Sequence, residues 1–306
     1  MSNPYLFTGL VACILLLAVV YLWPTPHKHF DELFAPIPPD MREDLERFRK
    51  THPIQYVEVD GLQWPYVVIG QGDTSMVLLH GMAGSWDIWW LLAEALSDRY
   101  RLICLSYPPA KGLESYGQGI LRVMDATHTP QAHIIGTSMG GYLAQYLLAH
   151  QPERVQKVVL GNTFPPNELF AQQHATRVKL LPLLPEWLIM YTMAQHTEKV
   201  IVPTSPQPDL VRAFLLEQYY GRMSKAQLIS RAKAIMTPFE LPSHSAHPIL
   251  IIESDNDPLV PPALRQQLRQ AWPQAQVHTF SQAGHFPYLS QPAQYVQIVQ
   301  QFLASK

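Results

Sequence analysis

One pentapeptide constrains this chain more than any other feature. Gly136-Thr137-Ser138-Met139-Gly140 follows the short apolar run Ala132-His133-Ile134-Ile135 and leads directly into Gly141-Tyr142-Leu143-Ala144-Gln145-Tyr146-Leu147-Leu148. Strand, G-x-S-x-G and helix in immediate succession describe a sharp turn that holds a serine in a strained backbone conformation. Small residues two before and two after the serine let strand and helix pass close together. The serine Oγ is then offered at a helix N-terminus, where free N–H groups and the dipole favour developing negative charge.

The rest of the chain agrees with such a turn. Short apolar runs alternate with helical patterns from residue 54 onward, the signature of an α/β fold with a mostly parallel sheet. Ile54 to Val59 and Gln63 to Ile69 read as an opening antiparallel pair split at Asp60-Gly61. Met76 to Leu79, Arg101 to Leu105, His133 to Ile135, Val155 to Leu160, Ile249 to Ile252 and Gln276 to Phe280 complete eight strands. The interval from about 163 to 243 is helix-like and Pro-broken with no convincing strand. An unstructured loop of that length is unusual, so it reads as a helical cap inserted before the seventh strand.

A nucleophilic serine needs a base, and the base an orienting acid. His285, in Ala283-Gly284-His285-Phe286-Pro287, is the one histidine of thirteen that follows a strand immediately, sits beside a Gly and precedes a final helix. The seventh strand opens into Glu253-Ser254-Asp255-Asn256-Asp257-Pro258, where Asp255 and Asp257 are both candidates. Asp257 is preferred because it precedes a Pro-apolar-Val-Pro run. The order Ser138, Asp257, His285 is the one that G-x-S-x-G enzymes use. Charge building on a carbonyl oxygen needs two N–H donors. The His80-Gly81 turn after the third strand offers the Met82 N–H, and the residue after the serine offers the Met139 N–H. No H-E-x-x-H or comparable cluster points to a metal, and no cofactor is implied.

The N-terminus makes a separate demand. Leu6 to Trp23 holds no charged residue, and about 27 Å of helix would result, close to the hydrocarbon thickness of a bilayer. Tyr5, Tyr21 and Trp23 flank it as interfacial residues do. No basic n-region and no small-x-small cleavage site accompany it, so an uncleaved single-pass anchor over residues 1–23 is preferred to a signal peptide. Lys28 and Arg42 on its C-terminal side tilt the orientation toward a cytoplasmic catalytic domain. A Pro-rich linker follows over 24–53, with a short helix begun by an Asp40-to-Glu43 capping box and resting on the main domain, which runs from 54 to 306. Charged residues make up 15% of the chain and its net charge is -2, which gives no electrostatic footprint for nucleic acid.

These motifs together resemble the α/β-hydrolase superfamily over about residues 50 to 304. Within it the chain is similar to the maspardin group, on Phe48-Arg49 with Pro53, Tyr107-Pro108, the segment 136–145, Asn162 with Phe164, and Phe286-Pro287-Tyr288-Leu289. That group lacks the HG turn and the triad histidine, both present here as His80-Gly81 and His285. The resemblance therefore implies the fold, and leaves two functions. The first is a serine esterase or lipase-like enzyme that cleaves an uncharged apolar acyl ester through an acyl-enzyme. The second is a non-catalytic adaptor on the same scaffold, with a protein partner. For the acyl pocket the expected residues are Trp86, Trp187 and Met190, although such apolar residues are more often core.

Overall fold

The computed structural model describes residues 4–305. Its centre is an eight-stranded sheet in the order β1-β2-β4-β3-β5-β6-β7-β8. The strands are β1 (Gln55–Val59), β2 (Leu62–Ile69), β3 (Thr74–Leu79), β4 (Tyr100–Leu105), β5 (Ala132–Thr137), β6 (Val155–Gly161), β7 (Ile249–Ser254) and β8 (Gln276–Phe280). β1 pairs β2, and β2 pairs β4, in antiparallel register. From β4 to β8 every pairing is parallel. β5 and β7 are buried along their whole length, as expected of parallel strands covered on both faces. The expected α/β sheet with its cap before the seventh strand is therefore what forms.

The helices follow the chain. Ahead of the sheet lie α1 (Pro4–Tyr21), the single turn α2 (Phe30–Leu33) and α3 (Pro39–Thr51). Between strands come α4 (Trp90–Leu96), α5 (Leu113–Ala126) and α6 (Met139–His150). The cap is built from α7 (Glu168–Leu180), α8 (Glu186–His196), α9 (Pro208–Glu217) and α10 (Lys225–Ile235). α11 (Pro262–Ala271), α12 (Pro287–Ser290) and α13 (Pro292–Ala304) close the chain. α3 begins with Pro39 at its first position and has no side-chain cap. Proline pre-sets the first-turn φ, so the expected Asp40 capping box is replaced by a proline start.

The Pro-rich segment ahead of β1 packs against the main domain, its short helix included. Leu33, Phe34, Ile37, Leu45 and Phe48 are all buried and join the apolar layer on one side of the sheet. Its anchor is ionic. Arg49 of α3 donates to Asp87 (2.6 Å) and, through both Nη atoms, to Glu217 of α9 (2.9 and 2.7 Å). Arg222 closes the set against the same two carboxylates. Burial alone would raise the Asp87 carboxyl, but the Arg222 and Arg49 guanidiniums outweigh it and hold the group well below the usual carboxylate range.

The expected single-pass membrane anchor is corrected. Among the described residues no helix is long and apolar enough to cross a membrane. The C-terminal end of α1 is instead held by the cap. Trp187 Nε1 donates to the Val20 carbonyl (2.7 Å), Tyr21 OH donates to the Pro182 carbonyl (3.2 Å), and Lys225 Nζ donates to Tyr21 OH (3.1 Å). Tyr21, which sequence alone assigned to a bilayer interface, thus meets protein partners. The flanking Tyr5 side chain lies outside the described residues.

Candidate active site

The C-terminal ends of β3, β5, β7 and β8 point to one edge of the sheet, where ligands of open α/β sheets bind. At the end of β5, Ser138 takes φ 53° and ψ -121°, a conformation costly for a side-chain-bearing residue. Two positions of the elbow tolerate only glycine. A Cβ on Gly136 would lie 2.2 Å from the Gly140 carbonyl oxygen, and one on Gly140 would lie 1.9 Å from that of Leu79. Crowding of strand against helix thus explains both glycines of G-x-S-x-G. The Thr163 hydroxyl donates to the Ser138 carbonyl (2.7 Å) and ties the elbow to the start of the cap.

The loops after β7 and β8 bring Asp257 and His285 together. His285 Nδ1 donates to the Asp257 carboxylate, 2.9 Å from both oxygens, and the pair is buried. The same carboxylate accepts the Leu259 N–H (2.8 Å), the Val260 N–H (3.2 Å) and Asn162 Nδ2 (2.8 Å). Burial would raise the Asp257 carboxyl, but His285 and these donors outweigh it and hold it below its ordinary range. Asp255, the other candidate, lies at the surface and accepts the Gln282 N–H (2.8 Å) and the Ser281 hydroxyl (3.1 Å). The acid that faces the histidine is Asp257. Asn162, at φ 42°, is a site residue whose role sequence reasoning missed; its signals were its share in the family resemblance and its place one residue beyond β6, at the same sheet edge.

The His80–Gly84 turn approaches the serine closely, since a Cβ on Gly81 would stand 3.1 Å from Ser138 Cβ. His80 is buried, lies tilted against Tyr107 with centroids 4.0 Å apart, and donates through Nδ1 to the Gly81 carbonyl (2.7 Å). Burial, reinforced by the Arg231 charge, keeps its pKa well below the ordinary histidine range. It serves as a neutral structural strut. The Met82 N–H donates to no group among the described residues, and Met139 opens α6, whose first-turn N–H groups are free of helical partners.

Ser138, His285 and Met82 line one cavity of about 160 Å³. Its walls are Ile88 from the turn before α4, Met193 from α8, Ile201 and Leu215 from the cap, and Leu259 and Phe286 from the acid and histidine loops. His196 and Tyr219 add polar atoms, and the lining contains no Lys or Arg. The pocket residues expected from sequence are elsewhere. Trp86 is buried against Phe48 with centroids 5.5 Å apart, Met190 is wholly buried in core, and Trp187 holds α1. They occupy core and cap seams because large apolar side chains fill the deepest packing first. Among the described residues no group of three or more His, Cys, Asp or Glu is arranged to hold a metal.

Sheet order, elbow and cap define a protein class, and the comparisons agree. The chain belongs to the alpha/beta hydrolase fold family, whose model matches residues 74–292. It is 25% identical over 260 residues to a pimeloyl-[acyl-carrier protein] methyl ester esterase of Serratia marcescens, covering 78% of this chain and 96% of that one. In fold it resembles the enol-lactonase of Burkholderia xenovorans LB400, with a TM-score of 0.71 at 20% identity, covering 82% of this chain and all of that one. A membrane phospholipase A matches with a TM-score of 0.65 at 20% identity over 98% of both chains. The expectation of an enzyme, a hydrolase on this fold, stands on these likenesses.

Proposed function

We propose that the protein is a serine carboxylic-ester hydrolase acting through an acyl-enzyme on uncharged, short apolar acyl groups. The observation that carries the reading is a serine at a strained helix N-terminus and a carboxylate-paired histidine lining the same apolar cavity. Ser138 Oγ attacks the ester carbonyl while His285 Nε2 takes its proton, and Asp257 fixes the ring and stabilises the imidazolium. The Met82 and Met139 N–H groups receive the developing oxyanion. As the C–O bond breaks, the imidazolium returns the proton to the departing alcohol. Water, activated by the same histidine, then releases the acid and restores Ser138.

The cavity supports a limit on acyl size. An apolar cavity of about 150 Å³ holds one benzene-sized group, so the 160 Å³ here suits acyl chains of roughly four to six carbons. Apolar walls without a cation favour a neutral acyl group over a carboxylate-bearing one.

A fluorophosphonate probe tests the reading directly. Wild-type protein is expected to be labelled and Ser138→Ala is not. A panel of p-nitrophenyl esters from acetate to laurate, with a phospholipid beside it, then ranks the acyl group. Folded wild-type protein that resists labelling and cleaves none of these would sink the enzymatic reading in favour of a maspardin-like adaptor. His285→Ala would in that case leave the biological effect intact.

A further inference from the structure

Met82 sits between two peptide planes, and both are held. In a trans peptide the N–H points opposite to the carbonyl of the same plane. The Met82 N–H therefore takes its direction from the Gly81 carbonyl, which accepts His80 Nδ1 (2.7 Å) and the Gly84 N–H (3.2 Å). The next plane is fixed from the cap. Arg231 Nη1 donates to the Met82 carbonyl (2.7 Å) and to the Gly84 carbonyl (3.3 Å), while Nη2 donates to the Tyr107 carbonyl (3.0 Å). The guanidinium lies over the Tyr107 ring, 5.6 Å from its centroid.

Arg231 does not act alone on its helix. Gln227 and Ser230, on the same face of α10 by i+3 and i+4 spacing, grip the loop after β4. Gln227 Nε2 donates to the Tyr107 carbonyl (3.1 Å), and the Ser230 hydroxyl donates to the Ala110 carbonyl. One face of α10 thus straps together the loops after β3 and β4.

Arg231 is also an expensive residue in this place. It is 2% exposed, makes no ion pair among the described residues, and leaves its Nε without a partner. A buried guanidinium without a carboxylate is a weak device for stability alone. Its fork does, however, suit the task of holding several carbonyls in fixed directions.

We infer that Arg231 is a positioning residue of the cap, which steadies the aim of the Met82 N–H indirectly, by clamping the next peptide plane at the Met82 carbonyl and the Gly84 carbonyl of the same turn. This rests on the ester-hydrolase reading for its catalytic consequence and on the contacts above for the clamp itself. The cap then completes the oxyanion site as well as forming the acyl chamber. Loss of a whole oxyanion donor lowers turnover by about 10²–10³-fold. A donor that is kept but misaimed costs less, about 10–100-fold.

The test compares wild-type protein with Arg231→Met and Arg231→Lys. Hydrogen exchange of residues 80–87 reads the clamp, and kcat and KM for a butyrate ester read the chemistry. Binding of a butyryl trifluoromethyl ketone, whose serine adduct places an oxyanion in the hole, reads the aim. In R231M, exchange of 80–87 is expected to rise at least tenfold and kcat to fall about 10–100-fold with KM within twofold. Affinity for the ketone should fall in parallel with kcat/KM. R231K keeps the charge and loses the fork, so it falls between, and it carries the comparison if R231M does not fold. Unchanged exchange in the variants overturns the clamp. Faster exchange with undiminished kcat, or a loss carried by KM, overturns the positioning role. Wild-type protein that cleaves no ester while R231M still loosens the loop overturns the ester-hydrolase reading and leaves the clamp standing.

Discussion

Replacing Arg49 by Met removes one of the two cations that face Asp87 and Glu217. Asp87 is fully buried and Glu217 nearly so, so the variant leaves two carboxylates sharing Arg222 out of reach of solvent. Taking one partner from such a set costs about 3–5 kcal/mol. Met keeps the aliphatic stem against Phe30, Phe34 and Phe214, whose rings now lie within 5.9 Å of the guanidinium, so the loss is electrostatic rather than one of volume. In a large domain each kcal/mol moves Tm by about 2 °C, which predicts a fall of roughly 6–10 °C at pH 7. The sign with pH follows from Asp87. Its folded pKa lies below its ordinary 3.8, so the wild-type contribution is present above that value and is lost as pH falls through the folded one. In the variant Arg222 and the Ser85 hydroxyl still oppose burial, and loss of the Arg49 charge raises the folded pKa from its wild-type position. The variant's carboxyl therefore takes up its proton at a higher pH than that of wild type, and the gap between them narrows as pH falls through the variant's folded pKa. Adding Glu217→Gln restores one cation to one anion, so the double variant should lose clearly less than the sum of the singles. Thermal unfolding from pH 2 to 8 by circular dichroism decides it. A fall under about 2 °C at pH 7, a gap independent of pH, or strict additivity would refute a coupled buried network.

Two further outcomes follow from the site. Asp257→Asn keeps the shape and removes the charge that fixes the His285 tautomer, so kcat should drop by about 10⁴-fold with KM retained; steady-state kinetics on the butyrate ester check this. Met193→Trp fills the chamber from the α8 side, so kcat/KM for a hexanoate ester should fall at least about tenfold while acetate is spared, a selectivity read from the same ester panel.

Much of this molecule was legible in the sequence because its signals are local. The parallel strands announce themselves as apolar runs, and Gly136 and Gly140 as steric necessities of a strand crossing a helix. Asp257 and His285 each follow a strand by only a few residues. What stayed hidden depends on distance along the chain. Arg231 lies in an ordinary Ser-Arg-Ala-Lys stretch, and its partners at Met82 and Tyr107 are more than a hundred residues away. Asn162 looks like any residue after a strand until Asp257 folds against it. The tryptophans misled because an indole is a large packing unit first, and Trp86 and Trp187 were claimed by α3 and α1 rather than by the cavity. The apolar N-terminal run reads as an anchor by its length, its lack of charge and its aromatic flanks, whereas the contacts of Val20 and Tyr21 belong to cap residues that no local pattern reveals.

The face of α10 that grips the sheet has a consequence for anyone recombining this scaffold. Caps between β6 and β7 invite exchange as cassettes, since both ends of the insertion leave neighbouring strands. Here the cassette has an asymmetric seam. Residues up to Gly221 could be traded for another chamber if the donor keeps a carboxylate at Glu217 for Arg49 and Arg222, but Gln227, Ser230 and Arg231 are fastened to carbonyls at Met82, Gly84, Tyr107 and Ala110. A chimera cut at the strand ends would import a foreign helix against those carbonyls and arrive with its new chamber intact and its turn loose. The junction belongs just before Ser224, whose side chain and Gln227 form the capping box that starts α10, so that the helix is inherited with the sheet it serves.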